Sequence, residues 1–465
     1  MDTAWVEGEM GGALLGDPRQ VRSVVAITKA LAANTGQSLT AACGNGVRQA
    51  AHRIFEDPAT SVKGLLAGHY AATQQRCLAL PRVLIAQDTT FFTYAQAQIT
   101  GLGILNGHGK TRGLLAHSAL AMTEDGTPLG LLHLQVWGAS DPEQLPPQGQ
   151  QVAAEERESY KWQQGLEGVA EHLSPQTSAV LIQDREGDFY DFLAAPRPAN
   201  IELLVRAAQN RRSRVITAAG AVLPTPEKLL HAVAGTGRCG TLLVSVPRKA
   251  RNPHQILPPR REAELEVRVI RAQIRRPNGS KVAAATLEVW VIEAEEKNTP
   301  EGEPPLRWVL ITTAVISTLE EACLRVRWYA RRWLIERLHF TLKSGLRAER
   351  LQIDDATSLG HALAIYFLVA QRLLYLTYVA REDPDRPAGE VLAADELTVL
   401  AARRGSPIVT LQEAIREVAV IGGYQYYRTA PPPGVKSLWL GWRHLTGMVE
   451  GWRLARRAGG LNCDA

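Results

Sequence analysis

Apolar residues recur at helical spacing through roughly the first 75 residues, then give way near residue 81 to short unbroken apolar runs. LGDPRQVRSVVAITKALAANTG (15–36) opens on Asp-Pro, a helix start, and closes on Asn-Thr-Gly, a helix stop. GVRQAAHRIFED (46–57) predicts a second helix, and both helices carry arginines on a polar face. PRVLIAQDTT (81–90) reads as a buried strand ending in a carboxylate and two threonines. GLLAHSALAMT and LGLLHLQVW follow as two more strands joined by the turn EDGTP. The polar, proline-bearing stretch 141–159 predicts a loop into a helix around ESYKWQQGLEGVAEHL. SAVLIQDREGD (178–188) repeats the first strand's pattern into Asp184, and IELLVR (201–206) is a fifth strand.

This order of strands and helices resembles a ribonuclease H-like α/β core. The runs TLLVSVPRK, AELEVRVIRAQIRR and ATLEVWVIEAEE predict an antiparallel β insertion over about 207–306, set apart from that core. PLRWVLITT (305–313) is one more core strand, and a long helix follows over 317–345. The expected organisation is three domains: helical at 1–75, catalytic at 76–370, and helical again at 371–465.

Composition narrows the class. A chain of 465 residues with 45% hydrophobic and 21% charged residues is that of a soluble globular protein. No uninterrupted apolar run reaches the roughly 18–20 residues of a membrane span. The start of the chain lacks the basic-then-apolar order of a signal peptide, so a cytoplasmic protein is expected. Cys43, Cys77, Cys239, Cys323 and Cys463 show no C-x-x-C pairing, which argues against a zinc ribbon or disulfide framework. Net charge is only +5, but Arg206 to Lys281 holds 16 Lys/Arg against 4 Glu and no Asp, a local excess of 12. Such a block suggests either a polyanion partner or a solvated surface.

Within YARRWLIERLHFTLK (329–343), Tyr329, Arg332, Glu336 and Lys343 lie within ~60° of one another around an ideal helix. Leu334, Ile335, Leu338 and Leu342 fall on the opposite stripe and predict the buried face. Asp88 and Asp184 end apolar strands; the resemblance to a ribonuclease H-like sheet implies that these strands lie side by side with this helix packed over them. Three converging carboxylates repel and raise one another's pKa. Oxygen-only ligation relieves that repulsion with hard divalent cations rather than zinc.

Tyr329-x2-Arg332-x3-Glu336-x6-Lys343 resembles the signature of DDE transposases of the insertion-sequence-four type. The likeness extends to LGDPR, TGQSLT, QDTT, QDREGD, PLRWVLITT, KSGLRAERLQ, IGGYQYYRT and SLWLGWRHL, nearly the whole chain. The resemblance implies Asp88, Asp184 and Glu336 as catalytic residues binding two Mg2+ ions per site, with Mn2+ substituting. It implies Tyr329, Arg332, Lys343 and Arg206 on DNA phosphates, Trp308 stacked on a flipped base, and Arg19 in reading the transposon end. The implied partners are transposon-end (inverted-repeat) DNA, target DNA and a second copy of the chain in a synaptic complex, with no membrane. The implied setting is the bacterial cytoplasm, at the nucleoid. Gln20 and Ser23 depart from the family pattern, where arginines are expected. A hydrolysis-only nuclease and a non-catalytic DNA-binding derivative remain open beside the transposase reading.

Overall fold

A computed structural model describes residues 3–94, 99–105, 111–138, 159–247, 260–427 and 430–457. The loop expected over 141–159 lies, but for Ser159, outside them, as does Cys463. The N-terminal region is helical: α1 (Trp5–Met10), α2 (Pro18–Ala33), α3 (Leu39–Ala42), α4 (Asn45–Phe55) and α5 (Val62–Leu78). Asp17 caps α2 by accepting from the Arg19 N–H at 2.7 Å, with Pro18 at the first helical position, where its missing N–H costs nothing.

The chain then builds β1 (Arg82–Thr93), β2 (Gly103–Ile104), β3 (Arg112–Met122), β4 (Pro128–Gly138), α6 (Tyr160–His172), β5 (Ser178–Gln183), α7 (Tyr190–Leu193) and β6 (Ile201–Arg206). After these come β7 (Arg212–Ile216), β8 (Glu227–Lys228), α8 (Leu229–Ala234), β9 (Gly240–Pro247), β10 (Arg260–Arg275), β11 (Thr286–Glu296) and β12 (Arg307–Thr312). The last segment is helical: α9 (Leu319–Arg331), α10 (Trp333–Phe340), α11 (Ala356–Glu382), α12 (Ala394–Arg404), α13 (Leu411–Ile421) and α14 (Val435–Arg457).

β1 pairs in parallel with β5, and β5 in parallel with β6. β3 runs antiparallel to β1 on its other side and carries β4 beyond it. The 207–306 segment is not a separate antiparallel body. β12 pairs with β6, β11 with β12 and β10 with β11, so all twelve described strands form one mixed sheet. Backbone groups on the open edge of β6 need partners, and the return strand β12 supplies them.

Side chains alternate across the sheet. On β1, Leu84, Ala86 and Phe92 face a core shared with α9, α10, α11 and the N-terminal helices. Val83 and Ile85 face a second core formed with α6, α7 and α8. The expected boundaries at 75 and 370 both fall inside helices, α5 and α11, whose ends are Leu78 and Glu382. α11 is long and apolar enough to cross a bilayer, but 83% of its most apolar window is buried inside the protein. It is the helix around which N-terminal, catalytic and C-terminal segments share one core.

Candidate active site

The β1–β5 register explains how two distant carboxylates meet. Each β1 residue pairs with the β5 residue 96 positions later, from Arg82↔Ser178 to Ala86↔Ile182. Continued by two residues, that offset brings Asp88 beside Asp184. Both lie two residues beyond the pairs facing the α10 core (Ala86, Ile182), so both project toward α10. Asp88 does not end its strand. β1 runs on to Thr93, because β3 continues to pair with it through Thr93↔Gly113. What ends at Asp88 is the continuous burial, not the strand. Asp184 directly follows the last residue of β5, Gln183, and caps the following turn, its Oδ1 accepting from the Glu186 N–H at 2.9 Å.

Glu336 arrives from the helix above. A capping box starts α9: Thr318 Oγ1 accepts from the Glu321 N–H at 3.2 Å, and Glu321 Oε2 accepts from the Thr318 N–H at 3.1 Å. The predicted single helix is broken at Arg332, where Arg332 N–H bonds Tyr329 O and Ile335 N–H bonds Arg332 O in a tighter i→i+3 pattern. It widens into a π turn over Thr341–Gly345, which contains Lys343. The ideal wheel therefore does not hold from Tyr329 to Lys343. The apolar stripe does hold: Leu334, Ile335, Leu338 and Leu342 are all buried. His339 fixes the helix phase, its Nε2 lying 3.1 Å from the hydroxyl of Ser118, which is the cross-strand neighbour of Asp88. Burial holds the His339 imidazole down to about 3, helped by the nearby cations Lys343 and Arg332, so it works as a neutral anchor.

Arg332 joins two of the carboxylates. Its guanidinium pairs with Glu336 and lies 3.7 Å from Asp88 Oδ2. Burial pushes the Asp88 carboxyl up to about 7; Asp184 and Glu336 add to that rise, and Arg332 and the Thr89 N–H oppose it. One arginine thus leaves the cluster short of positive charge. Among the described residues no three acidic, His or Cys side chains are gathered as a closed metal cage, and Glu336 remains exposed on Arg332. The donor set still fits a hard divalent cation: it is oxygen-only and carries excess negative charge.

The other sequence candidates fall around this cluster. Arg206 and Trp308 lie two residues from Leu204 and Leu310, so strand alternation puts them on the carboxylate side of the sheet. Arg206 is half-buried and bonds the Arg307 carbonyl at 3.4 Å. Trp308 is half-buried with its ring edge-on to Tyr329, centroids 5.5 Å apart, and Tyr329 itself is buried. Lys343 Nζ stands 4.2 Å from the ring of Phe91, an exposed aromatic that the sequence did not mark. Burial lowers the Lys343 ammonium against the opposing pull of Glu349. Glu186 pairs with Lys161 at 3.5 Å. Asp188 is sequestered, paired with Arg211 and accepting from the N–H groups of Ala208 and Gln209 at 2.7 and 2.8 Å, so it pins a turn.

Part of the basic block from Arg206 to Lys281 is paired with carboxylates inside the fold. Arg261 pairs with Glu296 and Glu303, Arg268 with Glu266 and Glu293, and Arg271 with Glu288; beyond the block, Arg307 also pairs with Glu293. Most of those glutamates lie beyond the block itself, on β11 and after it. A different basic surface opens elsewhere. A cleft of about 920 Å3 separates the N-terminal helices from the segment after the π turn, lined by Arg48, His52, Arg53, Arg347 and Arg350. Arg347 is held in the left-handed region at φ 55°, the only described non-glycine residue there.

Residues 2–60 match a family model described as transposase DNA-binding. The chain therefore carries a transposase DNA-binding region, and that match supports a transposase acting on DNA. The matched residues supply one wall of the basic cleft. Arg19 is exposed on the first turn of α2. Gln20 and Ser23, where the sequence resemblance led to arginines being expected, are used internally: Gln20 Nε2 bonds Asp57 Oδ2 at 2.8 Å, and the Ser23 hydroxyl bonds the Arg19 carbonyl at 3.0 Å.

Proposed function

We propose that the protein is a cut-and-paste DNA transposase of the insertion-sequence-four type, most similar to the transposon-five transposase. The observation that carries this reading is the parallel register that aligns Asp88 with Asp184 beneath the helix of Glu336, in a chain with a transposase DNA-binding region. The strand order β4-β3-β1-β5-β6, with β3 alone antiparallel to β1 among its neighbours and β5 and β6 parallel to it, supports a ribonuclease H-like core extended by the insertion at about 207–306.

Asp88, Asp184 and Glu336 would hold the two Mg2+ ions expected per site, with Mn2+ substituting; when bound, such ions activate the attacking oxygen and stabilise the leaving one. Water nicks the transposon end and frees a 3′-OH. That 3′-OH attacks the opposite strand to close a hairpin, a second water reopens it, and the 3′-OH then attacks target DNA. Each step is an in-line displacement at phosphorus, so one site serves all four. Arg332 moves from its carboxylates to a phosphate, Lys343 and Arg206 hold the backbone beside it, and Tyr329 supports Trp308, which stacks on a flipped base and relieves the hairpin's bend. Residues 1–75 read the end sequence, with Arg19 and the cleft arginines on phosphates. Residues 76–370 carry the chemistry, and 371–465 pair two protomers in a synaptic complex on the bacterial nucleoid.

The test uses the full-length protein, Mg2+ and a duplex carrying the inverted repeat that bounds its gene. Hairpin ends and target-joined products are expected. Linear products alone would replace this reading with a hydrolysis-only nuclease, and binding without cleavage with a non-catalytic derivative.

A further inference from the structure

One residue before each aspartate stands a glutamine. Gln87 and Gln183 are 96 positions apart, the offset that aligns Asp88 with Asp184. Both glutamines are fully buried, and Gln183 Nε2 donates to Gln87 Oε1 at 2.6 Å. By alternation they lie on the sheet face opposite the aspartates, with Val83, Ile85 and Leu181. Parallel strands covered on both faces are ordinarily apolar throughout, as Val83–Ala86 and Ala179–Ile182 are. The apolar run is interrupted on both strands at the position preceding the carboxylate. A buried amide is costly unless bonded, so an amide pair here has a bond to make rather than volume to fill.

The pair continues into β3. Thr89 lies 2.9 Å from His117 Nδ1, and burial keeps His117 well below its ordinary pKa and neutral. Gln87 Nε2, Gln183 Oε1 and His117 Nε2 have no hydrogen-bond partner among the described residues, and the Gln87 and His117 nitrogens face the backbone of Gly165 on α6. A Cβ at Gly165 would stand 2.6 Å from Gln87 Nε2 and 2.9 Å from His117 Nε2, so α6 leaves room for this layer only as glycine. The same Thr89 donates its N–H to Asp88 Oδ1 at 2.8 Å.

We infer that Gln87 and Gln183, backed by His117 and Thr89, form a brace that sets the separation of Asp88 and Asp184 and thereby the divalent-cation affinity of the site. They are positioning residues and touch no reacting group. The inference rests on the metal-binding reading of the two aspartates proposed above.

Free Mn2+ measured by electron paramagnetic resonance on the full-length protein tests it without recourse to activity. Gln183→Met and Gln87→Met keep side-chain volume and remove the amide bond. Each is expected to weaken Mn2+ binding about tenfold. The double variant should be no weaker than either single one, since one bond is shared. Gly165→Ala, which crowds the pair from α6, should weaken binding as well and serves if either methionine variant fails to fold. Lowered thermal midpoints with wild-type Mn2+ affinity would overturn the brace. Asp88→Asn separates the two claims. If it abolishes Mn2+ binding while the glutamine and Gly165 variants bind normally, only the brace falls. If it leaves Mn2+ binding unchanged, the metal reading falls and the brace with it.

Discussion

The β10–β12 extension and the face carrying Asp88 treat charge in opposite ways. In the extension, Glu293 is buried to 1% exposure yet answered by both Arg307 at 2.7 Å and Arg268 at 3.4 Å. At the site, Asp88 and Glu336 share Arg332, Asp184 adds a third negative charge, and Asp88 rises to about 7. The cleft shows the same imbalance with the sign reversed, gathering four arginines and a histidine on one surface. Charges neutralised within the fold stabilise it. Charges left uncompensated cost stability, and the proposed function assigns them outside partners: cations at the carboxylates, phosphates at the arginines. A count of basic residues along the chain does not separate the two cases.

The largest effect should come from the site itself. Asp184→Ala is expected to lower end cleavage at least about a thousandfold, roughly 4 kcal/mol in the barrier, with DNA affinity nearly unchanged. Gel quantitation of nicked ends against binding isotherms checks both halves; unchanged cleavage would remove Asp184 from the mechanism. In the extension, Arg261→Ala should cost about 3–5 kcal/mol of stability, because it strands the buried Glu296. Denaturant unfolding measures that cost, and DNA affinity should not move. If affinity falls instead, the extension is a DNA surface and the contrast fails.

Asp88→Asn probes the uncompensated carboxylate. With its pKa raised from 3.8 to about 7, wild-type Asp88 keeps in the folded state a proton that the unfolded chain loses. Stability from this group is therefore present below pH ~4 and lost as pH rises through about 7. In metal-free buffer, Asp88→Asn should stabilise the protein by roughly 2–4 kcal/mol at pH 8 and have little effect near pH 4. Thermal melts across that range give the answer; a variant less stable at pH 8 would mean the charge is compensated. The smallest effect belongs to the cleft: Arg347→Ala and Arg350→Ala should each weaken DNA binding several-fold, independent of sequence, and each reduce the salt slope by about one. Titrations at several salt concentrations decide this, and an unchanged slope would place the DNA elsewhere.

Local signals were legible where their physics is local. Asp17-Pro18 marked a helix start because capping needs neighbouring residues only, and the Leu334–Leu342 stripe marked the buried face of α10 and the π turn after it. The glutamates opposite the basic block escaped notice because they arrive from β11, across the sheet. β1 extends past Asp88, where continuous burial stops, because its partner β3 keeps the strand extended, and that pairing leaves no local pattern. His339 was readable as a histidine three residues after Glu336, but its anchoring role depends on Ser118, far away in the chain.

The sequence by itself determined the carboxylates, the apolar stripe that docks their helix and the period-two alternation that sorts each strand into two faces. The resemblance implied that the strands of Asp88 and Asp184 are neighbours, but the tertiary structure alone decided their register, an offset of 96 that puts Asp88 with Asp184 on one face and Gln87 with Gln183 on the other. The reason is physical. Alternation and capping follow from bonds and hydrogen bonds between near neighbours. Strand partners are instead chosen by burial and backbone pairing between segments nearly a hundred residues apart, and no local pattern records that choice.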